Sequence, residues 1–94
     1  MLDTDTIVDY LYANSLAVRD VVNNDSNPNE KSTVVVGGDN ANIVVLHDGE
    51  KAEVVLIKSD GVRILDSVDN YNSIVANVKS LLPVRPKLPK GPMA

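Results

Sequence analysis

The sequence predicts an α+β fold: an N-terminal helix, a three- to four-stranded antiparallel meander, a C-terminal helix and an extended polyproline-like tail. Three observations predict it. Apolar residues recur at spacings of three and four at both ends of residues 1–82, while the middle breaks into short β-branched runs separated by glycine-bearing turns. Proline then occupies every third position from 83 to 92. With 94 residues the chain has room for one domain. That domain spans residues 1–82, and residues 83–94 form a basic, proline-rich tail.

The first helix is expected over residues 4–23. Val8, Leu11, Ser15, Val18 and Val22 fall on one face, with Ile7 beside them. Thr4 or Thr6 would cap it, and Asp5 and Asp9 sit where the helix dipole favours negative charge. A run of Asn, Asp, Ser and Pro over residues 23–30 then reads as a polar connector.

Strands are expected over residues 33–36, 42–46 and 52–57, with a possible fourth over 62–65. Gly37-Gly38-Asp39-Asn40, His47-Asp48-Gly49-Glu50 and Ser59-Asp60-Gly61 supply the turns, because glycine accepts the positive φ that tight hairpins need. Connections this short force consecutive strands to pair antiparallel. The second helix runs over residues 70–82, with Asp69 or Ser67 as cap, an apolar face of Tyr71, Ile74, Val75, Val78, Leu81 and Leu82, and Pro83 as stop.

A sheet with one wet face alternates apolar and polar residues. Here Val34-Val35-Val36, Ile43-Val44-Val45-Leu46 and Val54-Val55-Leu56-Ile57 are apolar on both faces. Two helices can cover one face each, or share a face and leave the other as an interface. The core must come from small pieces. There is no Phe or Trp, and 30 residues are Ile, Val or Leu.

Composition narrows the function classes. The absence of cysteine excludes a disulfide framework and thiolate metal sites, which suits the cytoplasm or a virion. Residues 1–20 carry no basic segment followed by an apolar run, so neither a signal peptide nor a membrane span is expected there. The net charge of −4 divides unevenly. Residues 1–82 hold 13 acids against 6 bases, or −7, and the tail holds Arg85, Lys87 and Lys90 with no acid. An acidic body argues against a nucleic-acid partner, and no membrane partner is expected.

No motif predicts a catalytic site, a metal or a cofactor. His47 is the one histidine and reads as a turn residue. The Gly37–Gly38 pair lacks the Lys-Ser/Thr of a phosphate loop and any following helix. Asp39, Asn40 and Asn42 lack the later acid and fixed glycine of a calcium loop. Asp48, Glu50 and Glu53, with Lys51 between them, read as a solvated hairpin tip. Asn24-Asp25-Ser26 matches a glycosylation sequon, a pattern that arises by chance.

The candidate partner-binding residues are therefore aromatic and tail positions. Tyr10 and Tyr12 flank the stripe of the first helix, so at least one should face outward, whereas Tyr71 belongs to the core. Pro83, Pro86, Pro89 and Pro92 would align along one edge of a polyproline II helix, with Arg85, Lys87, Leu88 and Lys90 on the others. Such a segment can grip an acidic neighbouring chain. The expected function is a non-catalytic structural or assembly protein, a small subunit of a homo-oligomer or larger protein assembly, with phage-particle accessory proteins as one setting. The alternative is a small acidic inhibitor or regulator of a host or cellular enzyme.

Overall fold

The computed structural model describes residues 1–27, 29–37 and 41–82. Two helices flank a five-stranded antiparallel meander, in the order α1 (Thr4–Ala13), β1 (Val18–Val22), β2 (Ser32–Gly37), β3 (Ala41–His47), β4 (Ala52–Lys58), β5 (Gly61–Ile64) and α2 (Tyr71–Leu81). Neighbours in sequence are neighbours in the sheet throughout. The expected tail, residues 83–94, lies outside the described residues.

The first helix is half as long as its apolar stripe suggests. Its cap is Asp3 rather than Thr4 or Thr6, and the Asp3 carboxylate accepts from the Thr6 N–H at 3.1 Å. It stops because Ser15 adopts φ 61°. The Ser15 N–H then reaches the Tyr12 carbonyl and the Leu16 N–H reaches the Leu11 carbonyl at 2.9 Å, which satisfies the last orphan acceptors of the helix. Leu16 folds down as a buried neighbour of the Leu11 core position, the apolar contact that such an ending favours. Val18, Val21 and Val22 are β-branched and lose little by extending, so residues 18–22 join the sheet as a fifth strand.

β1 pairs with β2 through an irregular register, Val18 opposite Val36 but Asp20 opposite Val35, which leaves Arg19 as the extra residue of a bulge. Glycine at position 37 is what admits the Arg19 side chain. A Cβ there would lie 2.5 Å from Arg19 Cδ. Arg19 continues across the strand to donate to Asn42 Oδ1 at 3.2 Å. Gly49, at φ 95° in the β3–β4 turn, adopts a backbone conformation that favours glycine.

Register divides the sheet cleanly into two faces. Val34, Val45 and Val54 form one row, Val36, Ile43 and Leu56 another, and Ser32, His47 and Ala52 a third. These rows point to the helices. α1 packs on β1 and β2, α2 on β3 and β4, and the helices touch each other. Ile7 and Leu11 from α1 and Ile74, Val75, Val78 and Leu81 from α2 complete the core. Each fully buried Val, Ile or Leu contributes about 1.5–3 kcal/mol. A core without Phe or Trp reaches closure by number rather than size.

α2 matches its expected span, but Asn70 caps it, accepting from the Ser73 N–H at 2.8 Å, rather than Asp69 or Ser67. Ahead of it, Val68 exchanges both backbone bonds with Ala52, which brings the chain back beside β4.

Candidate functional site

Both helices lie on one face of the sheet, so the other face has no covering layer among the described residues. Its rows are Thr33, Leu46 and Glu53; Val35, Val44, Val55 and Ile64; and Gly37, Asn42, Ile57 and Val62. None of their apolar side chains belongs to, or packs against, the core cluster. Exposure increases toward the β5 edge, to 62% at Val62 and 61% at Ile64. Val55 is nearly buried because its register partners Val44 and Ile64 flank it. A contiguous apolar surface of this kind is uncommon on an isolated domain and is characteristic of an interaction site.

The charges on this face sit at its rim. Arg19 lies over Gly37 beside Asp20, and Lys31 Nζ approaches Glu53 Oε1 at 3.6 Å. Lys31 and Glu53 thus form an ion pair, while the Arg19 guanidinium is engaged with Asn42 rather than with an acid. The two edges differ. β1 carries a bulge and the Arg19-Asp20 pair, both of which discourage strand addition, whereas β5 has a single charge, Arg63.

A second cluster is polar and buried. His47 does not sit in the turn where its sequence context suggested. It is the last residue of β3, 2% exposed, continuing the inward parity of Ile43 and Val45. Its Nε2 is 2.7 Å from Thr4 Oγ1, and Thr4 Oγ1 donates to Asp25 Oδ1 at 2.5 Å. Asp25 also accepts from the Thr4 N–H at 3.0 Å and the Ser32 hydroxyl at 2.7 Å. In the neutral ring Nδ1 accepts from the Gly49 N–H, which leaves the ring proton on Nε2 facing Thr4. Burial alone would raise the Asp25 pKa, but the Thr4 and Ser32 hydrogen bonds together with the nearby His47 outweigh it and hold the carboxyl below 3.8.

A cleft of about 300 Å³ opens beside this cluster, with Asp3, Asn24, Glu30 and Asp48 among its walls. Hydrogen bonds from the Lys51 and Glu50 N–H groups lower the pKa of Asp48. The chain of contacts runs His47–Thr4–Asp25. A nucleophilic triad needs the imidazole between acid and hydroxyl, and here the hydroxyl proton already goes to the carboxylate. What the cluster does is clasp the 23–31 connector to α1, β2 and β3. Among the described residues no group of three or more His, Cys, Asp or Glu side chains is placed to hold a metal ion, and no described helix is long and apolar enough to cross a membrane.

The two aromatic candidates separate. Tyr10 stacks on Tyr71 with ring centroids 4.9 Å apart, inside the junction of the helices. Tyr71 is anchored further, its hydroxyl accepting from the Asp3 N–H at 3.0 Å and donating to the Met1 carbonyl. Tyr12 is 58% exposed on the opposite side of α1 from the core. Pro83, Arg85, Pro86, Lys87, Leu88, Pro89 and Lys90 lie outside the described residues. Of the two described candidates, Tyr10 is engaged with Tyr71 and Tyr12 stands apart from it, and the surface the structure does assemble comes from strand residues that alternation alone left undecided.

Fold and site together define a class: a small α+β domain with a one-sided helical layer and an apolar sheet face that no other described layer covers. No protein-family model, no curated protein and no solved structure matches this chain.

Proposed function

We propose that this protein is a non-catalytic assembly subunit that builds a homo-oligomer or larger protein assembly through the uncovered face of its sheet. The observation that carries this reading is the placement of both helices on one face, which leaves Val35, Val44, Leu46, Ile57, Val62 and Ile64 facing outward without a packing partner among the described residues. The balanced rim charges fit the same reading, since they let an acidic protein approach another chain without repulsion at the contact itself. The basic tail, with Arg85, Lys87 and Lys90 against the acid excess of residues 1–82, is a second contact to a neighbouring chain in this reading.

Light scattering on the eluting peak of a sizing column tests it, with the full chain and a chain ending at Leu82 measured from micromolar to millimolar concentration. A mass that is a multiple of 10.1 kDa is expected for the full chain. A mass of 10.1 kDa at every concentration, unchanged by truncation, would overturn the reading.

A further inference from the structure

We infer that the occupant of the bare sheet face is the same face of a second copy, the two meeting as an aligned sandwich about a two-fold axis that passes beside the middle of β3. The inference rests on the assembly reading above and specifies its partner. Three observations select a second copy over another class of molecule.

The first is surface chemistry. The face presents β-branched Val and Ile on a regular pleat, with Leu46 and no aromatic side chain. Two such pleated surfaces interdigitate at a sheet separation of about 10 Å, as in sandwich cores. Grooves for peptides or small molecules need a concavity, and the cleft among the described residues that touches this face lies at its β4–β5 corner, by Val62 and Gly61, away from the Val35-Val44-Val55 row.

The second is area. Five strands at about 4.8 Å spacing and some six residues at about 3.3 Å give a face of roughly 450 Å², so two faces bury roughly 900–1,000 Å². That lies close to the lower limit of about 1,000 Å² for a specific interface, so the whole face has to be used. A partner covering only part of the face would fall below it.

The third is charge. The charged residues at the rim of the face are Lys31, ion-paired with Glu53, Arg19, hydrogen-bonded to Asn42, and Asp20 on the edge strand. A strongly charged partner finds no complement there, whereas an identical face brings the same balanced rim and a centre without charge. β3 is the middle of the five strands, so either in-plane two-fold axis stacks β3 on its own copy. Val44, central on β3, then lies across from Val44 of the second copy.

The chain has no cysteine, so a single introduced thiol reports without background. The experiment compares Val44→Cys with Ala76→Cys, which is exposed on the helical layer, each in the full chain and treated with a bismaleimide spanning about 10 Å. Val44→Cys is expected to yield covalent dimer as the main product, at least tenfold more than Ala76→Cys. A Val44→Cys, Ile64→Lys double variant, with a charge placed on the face, is expected to lose that product while its circular dichroism stays that of the single variant. If the chain is multimeric by light scattering but Val44→Cys does not cross-link, copies join elsewhere: the sandwich is overturned and the assembly reading stands. If Val44→Cys cross-links only once residues 83–94 are removed, the occupant in the full chain is its own tail, and the sandwich is again overturned. A chain that stays monomeric in every form overturns both.

Discussion

Thr4 Oγ1 lies 2.5 Å from Asp25 Oδ1, a contact that joins the first turn of α1 to the middle of an otherwise irregular connector. Asp25 takes three hydrogen bonds at once, from the Thr4 N–H, the Thr4 hydroxyl and the Ser32 hydroxyl. Replacing it with Ala leaves donors at two buried residues without an acceptor, at a cost of about 1–3 kcal/mol. Urea melts of Asp25→Ala against the parent chain measure this, and a difference near zero would show the clasp to be incidental.

The same contact predicts a pH dependence. Asp25 has its folded pKa below the ordinary 3.8, because the Thr4 and Ser32 bonds and His47 more than offset the effect of burial. A depressed carboxyl contributes stability that is present above its unfolded pKa and lost as pH falls through the folded one. The gap in stability between the parent and Asp25→Asn should therefore stay level near neutrality and narrow as pH drops below about 4. Denaturant midpoints at stepped pH values follow it directly.

Ser15 holds φ 61° where glycine would rest without strain. Ser15→Gly relieves the crowding of Cβ and should stabilise the fold by about 0.5–1 kcal/mol after the added freedom of the unfolded chain is counted. Ser15→Val should destabilise by more than that. Thermal melts of the two variants should move in opposite directions.

Val44 and Val45 are adjacent in sequence and opposite in environment. Val45→Thr buries a hydroxyl in the helix-covered core and should cost about 1–3 kcal/mol. Val44→Thr, on the bare face, should stay within about 0.5 kcal/mol when measured on monomer. Equal losses at both positions would mean that the sheet is covered on both sides.

Most of the fold was legible because its signals are local. Gly37 and Gly61 fall at strand ends and Gly49 in the β3–β4 turn, and the Ile74–Val75–Val78–Leu81 spacing placed α2 within a residue at each end. The first helix misled because Leu11, Ser15, Val18 and Val22 keep helical spacing while the backbone turns at Ser15. The polar Asn14-Ser15 step and the three valines among residues 18–22 were the signals against it. His47 had a readable clue as well, since Ile43, Val45 and His47 share one parity along β3. Its partners Thr4 and Asp25 lie 43 and 22 positions away, and no local pattern connects them. The bare face was legible only as one of two alternatives. Strands apolar on both sides state that both need cover, but which side the helices take is decided by tertiary packing.

The Tyr71 hydroxyl, bonded to Met1 and Asp3, has a consequence for the order of events during synthesis. α1 emerges from the ribosome before α2, yet its aromatic anchor and half of its packing surface belong to α2, some 60 to 70 residues later. Until α2 is made, the growing chain carries a valine-rich meander with neither side fully protected. Such an intermediate depends on contacts of high sequence separation and is exposed to misassociation while it waits. α2 is therefore the element whose arrival ends the hazard, and a stalled or truncated product lacking it should be the aggregating species.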